Sequence, residues 1–155
     1  MIRPITRHDI PALMTVIEAT DLFPADMLPD MMAGYFSGDA PDDMWLTLDI
    51  GGPVAVAYYA PERMTQGTWN LYLIAVHPSV QSQGHGAALL HYIEQALVGR
   101  GARVLLVETS GLPSFARTRA FYHTCGYDEE ARIREFYQAG EDKVIFRKAL
   151  TVQKQ

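Results

Sequence analysis

The spacing of apolar and polar positions changes character twice along the chain. Near the start, Ile10, Leu13, Met14 and Ile17 recur three and four residues apart, one face of a helix predicted from about Asp9 to Thr20. Thr6-x-x-Asp9 resembles a capping box with Asp in the place of Glu, and Pro11 suits a first helical turn. Pro24, Pro29 and Pro41 punctuate the next segment, where a short second helix fits around Asp26–Phe36, ended by Gly38. From Met44 the pattern becomes strand-like. Met44–Ile50, a Gly51-Gly52 turn and Val54–Ala60 read as a hairpin, with Thr68–Val76 a further strand. Helical spacing returns over Gly86–Val98 (Ala87, Leu90, Ile93, Glu94, Leu97) and stops at Gly99 and Gly101. Val104–Glu108 reads as a buried strand, Phe115–Cys125 as a helix ended by Gly126, and Tyr127–Tyr137 with Lys143–Ala149 as a closing hairpin around Gly140.

With a first strand at Met1–Ile5, the strand–helix–strand alternation in the middle implies one parallel crossover inside an otherwise antiparallel sheet. The expected class is α+β (mixed α/β), a single domain over 1–150 with a tail at 151–155. The length of 155 residues supports one domain, and a chain of this size buries roughly 70% of its unfolded surface without staples. Apolar residues at 48% and charged residues at 20% exclude a disordered or collagen-like chain. One cysteine, Cys125, excludes an internal disulfide and fits a reducing compartment. The net charge of −5, with no run of five like charges, argues against nucleic acid as a partner. The N-terminus has no signal-peptide core, and Leu71–Val76 and Val54–Ala60 are too short to span a bilayer, so a cytoplasmic protein without membrane contact is expected.

The stretch Leu73–Leu90 runs from strand through loop to helix and carries Gln81-Ser-Gln-Gly84-His-Gly86. Glycines let a ligand approach the backbone, and the amides of an opening helical turn point outward with the positive end of the dipole. That suits a phosphate or pyrophosphate. A Walker loop needs Gly-Lys-Ser/Thr, but Gly86 is followed by Ala87-Ala88; a dinucleotide fingerprint needs glycine where Leu89 stands. Gln81-x-x-Gly84-x-Gly86 after Ile74-Ala75-Val76-His77-Pro78 instead resembles the pyrophosphate loop of the GNAT superfamily, the acyl-CoA-dependent N-acyltransferases. Thr118-Arg-Ala-Phe121-Tyr122-His-Thr-Cys-Gly126-Tyr127 resembles the same superfamily's Phe-Tyr helix, and the order of elements agrees along essentially the whole chain.

The resemblance implies a mixed, mostly antiparallel sheet splayed between its fourth and fifth strands, with about four flanking helices. It implies acetyl-CoA as co-substrate. The backbone of Ile74, Ala75 and Val76, on a bulged strand, would bond the pantetheine arm and polarise the thioester carbonyl. Gln81, Ser82, Gln83, Gly84, His85, Gly86 and Ala87 would surround the pyrophosphate. Tyr122 matches the family's general acid for the departing thiolate. Two positions depart from the pattern: Phe115 stands where many members have asparagine, and Asn70 and Tyr72 occupy the strand where many place a glutamate base. Glu108, expected at the end of its strand, is the substitute base; a salt-bridged or solvated Glu108 is the alternative.

Other candidates have plainer readings. The histidines 8, 77, 85, 91 and 123 show no paired metal spacing, so no metal is expected, and His77 reads as a solvated loop residue. Cys125 at a helix C-terminus reads as structural, Met27, Met31 and Met32 as core or a pliable wall, and Asp21, Asp26 and Asp30 as a solvated face. The resemblance places the acceptor between Asp21–Tyr35 and Arg132–Asp142, near Phe23, Tyr35, Phe136 and Tyr137. A small-molecule amine, an amino acid or a peptide N-terminus would fit, with Arg132 and Arg134 facing an acceptor carboxylate or merely alternating on an edge strand. The expected activity is acetyl transfer to a primary amine by direct attack in a ternary complex; the alternative is a non-catalytic acyl-CoA-binding or regulatory domain. A homodimer remains open, dimers being common in the family.

Overall fold

Asp9 closes the first turn of the chain. Its carboxylate accepts from the Thr6 amide at 2.7 Å, which realises the capping geometry expected from Thr6-x-x-Asp9. Arg3 grips the same carboxylate through both guanidinium nitrogens at 2.8 Å and reaches Asp49 at 3.0 Å. A strand, a turn and a hairpin end are thus held by one arginine.

The computed structural model describes residues 1–151, and the expected tail beyond Thr151 lies outside them. Among the described residues the strands are β1 (Ile2–Pro4), β2 (Met44–Asp49), β3 (Pro53–Pro61), β4 (Thr68–Val76), β5 (Val104–Ser110), β6 (Asp128–Gln138) and β7 (Glu141–Ala149). The α-helices are α1 (Ile10–Thr20), α2 (Leu28–Ser37), α3 (His85–Gly99) and α4 (Ala116–Thr124). Short 3-10 turns precede α1, α2 and α4, and another (Pro78–Val80) follows β4. None of these helices is long and apolar enough to cross a membrane.

The chain forms two compact units, divided within β4. The first comprises Met1–Pro61 and Tyr72–Gln95. Here the strand order is β1-β2-β3-β4, with β1/β2 and β2/β3 antiparallel. Leu13, Val16 and Ile17 of α1 and Leu28 and Met32 of α2 bury themselves with Trp45, Val56, Leu73 and Ala75. The second unit comprises Glu62–Leu71 and the chain from Ala96 onward. Its order is β4-β5-β7-β6, parallel for β4/β5 and antiparallel for β5/β7 and β6/β7. The parallel ladder runs from Thr68↔Val104 to Leu71↔Val107. The β4/β5 pairs end there, and Tyr72–Val76 belong to the first unit.

Most element ends lie within a residue or two of expectation, and two of the shifts bear on the site. β5 continues past Glu108 to Ser110, because β7 keeps pairing with it through Ser110↔Lys143. Glu108 therefore sits inside a strand, not at its end. Phe115 lies in a 3-10 turn (Pro113–Phe115), and α4 starts only at Ala116. The edge strand β6 is exposed throughout and carries register shifts at Glu129/Ala131 and Ile133/Gln138. Its charges and irregularity blunt further strand pairing.

The Arg3 contacts hold the Asp9 carboxyl down at about 2, below the usual carboxylate range. A depressed folded value means that stability is gained above the unfolded pKa near 4 and lost as pH falls toward 2. Asp9→Asn should therefore cost roughly 1 kcal/mol at pH 7, a figure reduced because Arg3 is partly in solvent. Urea titrations at pH 7, 4 and 2.5 should show the gap between variant and native chain shrinking steadily with acid.

Candidate active site

β4 delivers the chain into the glycine loop. Ala75 is buried, Ile74 and Val76 are half-buried, and the His77 amide donates to Val54 O at 2.8 Å. His77 is not a free loop residue: its Nδ1 accepts from the Ser79 amide at 3.1 Å and caps the Pro78–Val80 turn. Gln81 reaches back to donate from Nε2 to Val76 O at 2.9 Å, which ties the loop to the strand end. Gln81 through Gly84 and Ala87 are exposed, while His85 and Gly86 are half-buried.

Two residues turn this loop through left-handed backbone. Ser82 has φ 63° and Gly84 φ 83°. A side chain at Ser82 makes that conformation costly, and strain of this kind collects at ligand sites. The first bond of α3 closes from the Ala88 amide to Gly84 O at 3.0 Å. The amides of His85, Gly86 and Ala87 precede it and have no partner inside the helix. They head a fifteen-residue helix, so its dipole adds positive potential at the same place. A Cβ built on Gly84 meets nothing within 4 Å, leaving the backbone open to an approaching group. The donor set fits a pyrophosphate.

In the second unit, sheet pairing divides the chemistry between two faces. Residues directly opposite in a sheet share a face, and neighbours along a strand alternate. The pairs Asn70↔Leu106, Glu108↔Ile145 and Ser110↔Lys143 put Asn70, Glu108 and Lys143 on one face. The pair Val107↔Phe146 belongs to the other.

On the first face Lys143 Nζ lies 2.6 Å from Glu108 Oε1 and 3.6 Å from the centroid of the Phe136 ring. Asn70, 2% exposed, donates from Nδ2 to Glu108 Oε2 at 2.8 Å and to Glu62 Oε1 at 2.9 Å. Its Oδ1 is buried without a partner. The salt-bridged alternative for Glu108 is thus what the contacts show, with both carboxylate oxygens engaged.

On the other face Tyr122, 3% exposed, packs in α4 against Phe146 (5.5 Å between ring centres), Tyr127 (6.0 Å) and Phe121 (5.3 Å). Burial pushes its phenol well above its usual value near 10, so it holds its proton at neutral pH. Arg119 of α4 donates to Ser110 O at 2.7 Å and Leu112 O at 2.9 Å, fixing the helix to the end of β5. Cys125 caps the same helix, partly buried.

The expected acceptor residues lie apart in sequence and differ in use. Phe23, Tyr35 and Met31 pack on the first unit's core, Met32 is inside it, and Met27 is exposed. Trp45, Tyr58 and Tyr72 stack in a row across β2, β3 and β4, at 4.4 and 5.4 Å between ring centres. In the closing hairpin Arg132 is engaged by Asp142 at 3.0 Å, and both line an open cleft with Ile133, Arg134, Glu135 and Gly140. Sequence reasoning missed the part played by Glu62 and Lys143. No spacing signal links positions 62, 70, 108 and 143; the pairing of β4, β5 and β7 brings the last three together, and Glu62 joins them from the turn after β3, its amide donating to Thr68 O.

The acetyltransferase (GNAT) domain family matches residues 40–129. A GNAT-family protein from Desulfovibrio desulfuricans is 32% identical over 97% of this chain and 99% of its own, with a TM-score of 0.89. The ribosomal-protein-S18-alanine N-acetyltransferase of Escherichia coli (23% identity, 100% and 96% covered, TM-score 0.77) shares the fold. So does yncA of Salmonella typhimurium, solved with its cofactor acetyl-CoA (17% identity, 100% and 96% covered, TM-score 0.77). No curated protein matches the chain in sequence. On the family match and the 32% identical relative together, this chain belongs to the GNAT acetyltransferases and is an acyl-transferring enzyme.

Proposed function

We propose that the enzyme moves an acetyl group from acetyl-CoA to a primary amine by direct attack, with Tyr122 as general acid and Glu108 as the group that receives the amine's proton. The observation that carries the cofactor assignment is the loop itself: left-handed Ser82 and Gly84 lead into the unpartnered amides of His85, Gly86 and Ala87. These residues, with Gln81 and Gln83, hold the pyrophosphate. The end of β4, Ile74 to Val76, lies along the pantetheine arm, and an amide there polarises the thioester carbonyl. Val76 O already accepts from Gln81, so Val76 would contribute through its amide and not its carbonyl.

In the transfer step the amine nitrogen bonds to the carbonyl carbon, the carbon–sulfur bond breaks, and the thiolate takes the proton of Tyr122. A phenol that burial keeps protonated suits that role across the neutral range. The amine's proton passes to Glu108, directly or through water. Acceptors carrying a free amine, among them amino acids and peptide N-termini, suit this chemistry; that the fold also serves a ribosomal-protein alanine acetyltransferase makes an N-terminal alanine peptide a first probe.

Tyr122→Phe should lower kcat about 100-fold or more, with acetyl-CoA binding unchanged. Thiol release monitored over an amine panel checks it. Full rate in the variant at saturating substrates removes Tyr122 from the mechanism. Because burial raises the phenol, the native rate should show no alkaline fall below about pH 10 on its account.

Gly84→Val should weaken acetyl-CoA at least tenfold in calorimetric titration, since a β-branched residue resists φ 83°. ATP, titrated in parallel, should remain silent. Unchanged acetyl-CoA affinity in a folded variant contradicts the loop assignment.

A further inference from the structure

The contacts around Glu108 form a bracket with more parts than a stable sheet needs. Asn70 has its two amide hydrogens on two different carboxylates, Glu62 and Glu108, so its plane cannot turn without losing a charge-assisted bond. A flipped amide would set its oxygen against those carboxylates, which fixes the assignment. The arrangement leaves Oδ1 buried and unpartnered, a standing cost that an apolar residue at position 70 would avoid. From the far side Lys143 closes on Glu108 Oε1 at 2.6 Å, itself seated 3.6 Å from the Phe136 ring centre and 6.0 Å from that of Tyr137. Asn70 and Lys143 flank Glu108 on the same face from adjacent strands, each diagonal to it in register. A carboxylate gripped on both oxygens is held to one rotamer, and each oxygen keeps a further lone pair for an incoming proton donor.

We infer that Asn70 and Lys143 are positioning residues that aim the Glu108 carboxylate at the acceptor amine. The inference rests on the proposed role of Glu108. It accounts for the buried asparagine on β4: Asn70 orients a carboxylate that stands one strand over, on β5. Removing either bracket frees the Glu108 side chain to sample other rotamers, which lowers the fraction of enzyme ready to accept the proton and leaves acetyl-CoA binding alone.

The test is a pair of double-mutant cycles. Native chain, Glu108→Gln, Asn70→Leu, Lys143→Met and the doubles Asn70→Leu/Glu108→Gln and Lys143→Met/Glu108→Gln are assayed by thiol release at saturating acetyl-CoA. The acceptor is whichever of an N-terminal-alanine peptide, spermidine and tyramine the native enzyme turns over fastest. Thermal melts confirm folding. Expected is a fall in kcat of about 100-fold for Glu108→Gln and about tenfold for each bracket variant, with KM for acetyl-CoA unchanged. In the Glu108→Gln background each bracket substitution should change kcat less than twofold. Equal losses in both backgrounds, or none in either, overturn the positioning role and leave Glu108 as base intact. Full rate in Glu108→Gln, or no turnover of any amine by an enzyme that binds acetyl-CoA, instead overturns the proposed function and this inference with it. If Asn70→Leu does not fold, the Lys143→Met cycle decides alone.

Discussion

Period-two alternation along β5 is the constraint on which the chemistry of the second unit depends. Val107 and Glu108 are neighbours in the chain, so their side chains must leave the sheet on opposite faces. One face takes Val107 into an apolar stack with Phe146, against which Tyr122 packs. The other carries Glu108 with Asn70 and Lys143. A slip of one residue in the β5/β7 register would exchange the two sets, burying a carboxylate among aromatic rings. Seven antiparallel pairs, from Val104↔Ala149 to Ser110↔Lys143, hold that register.

In the first unit the comparable constraint is the direction of α3. Its apolar face, with Leu89, Leu90 and Ile93 fully buried, fixes the helix, and the helix in turn fixes where its unpartnered amides point. The loop ahead of it holds two left-handed residues that the strand end and helix start over-determine: Gln81 anchors one side through Val76 O, and the Ala88–Gly84 bond anchors the other. Packing energy gathered deep in the unit keeps backbone donors in place at its surface.

Much of this was legible in the sequence because it is local. Helical spacing at Ile10, Leu13, Met14 and Ile17, the Thr6–Asp9 cap and the Gly-rich stretch before Leu89 each depend on neighbours within a turn or two, and each formed as read. What the sequence hid is non-local. Glu108 read as a strand end because the residues after it, Thr109 and Ser110, look like the start of a loop; only β7, more than thirty residues on, keeps them in the ladder. One local contact was hidden too: nothing in His-Pro-Ser signals that the His77 ring accepts from the Ser79 amide. Asn70 looked like a missing glutamate, and its two carboxylate partners come from positions 62 and 108.

The placement of Tyr122 and Glu108 on opposite faces of one sheet has a consequence for proton traffic. The proposed acid and base have the sheet's own backbone and the Val107–Phe146 layer between them, so neither can neutralise the other directly. On the proposed mechanism each turnover would leave the donor face one proton short and the acceptor face one proton over, to be reset by separate routes.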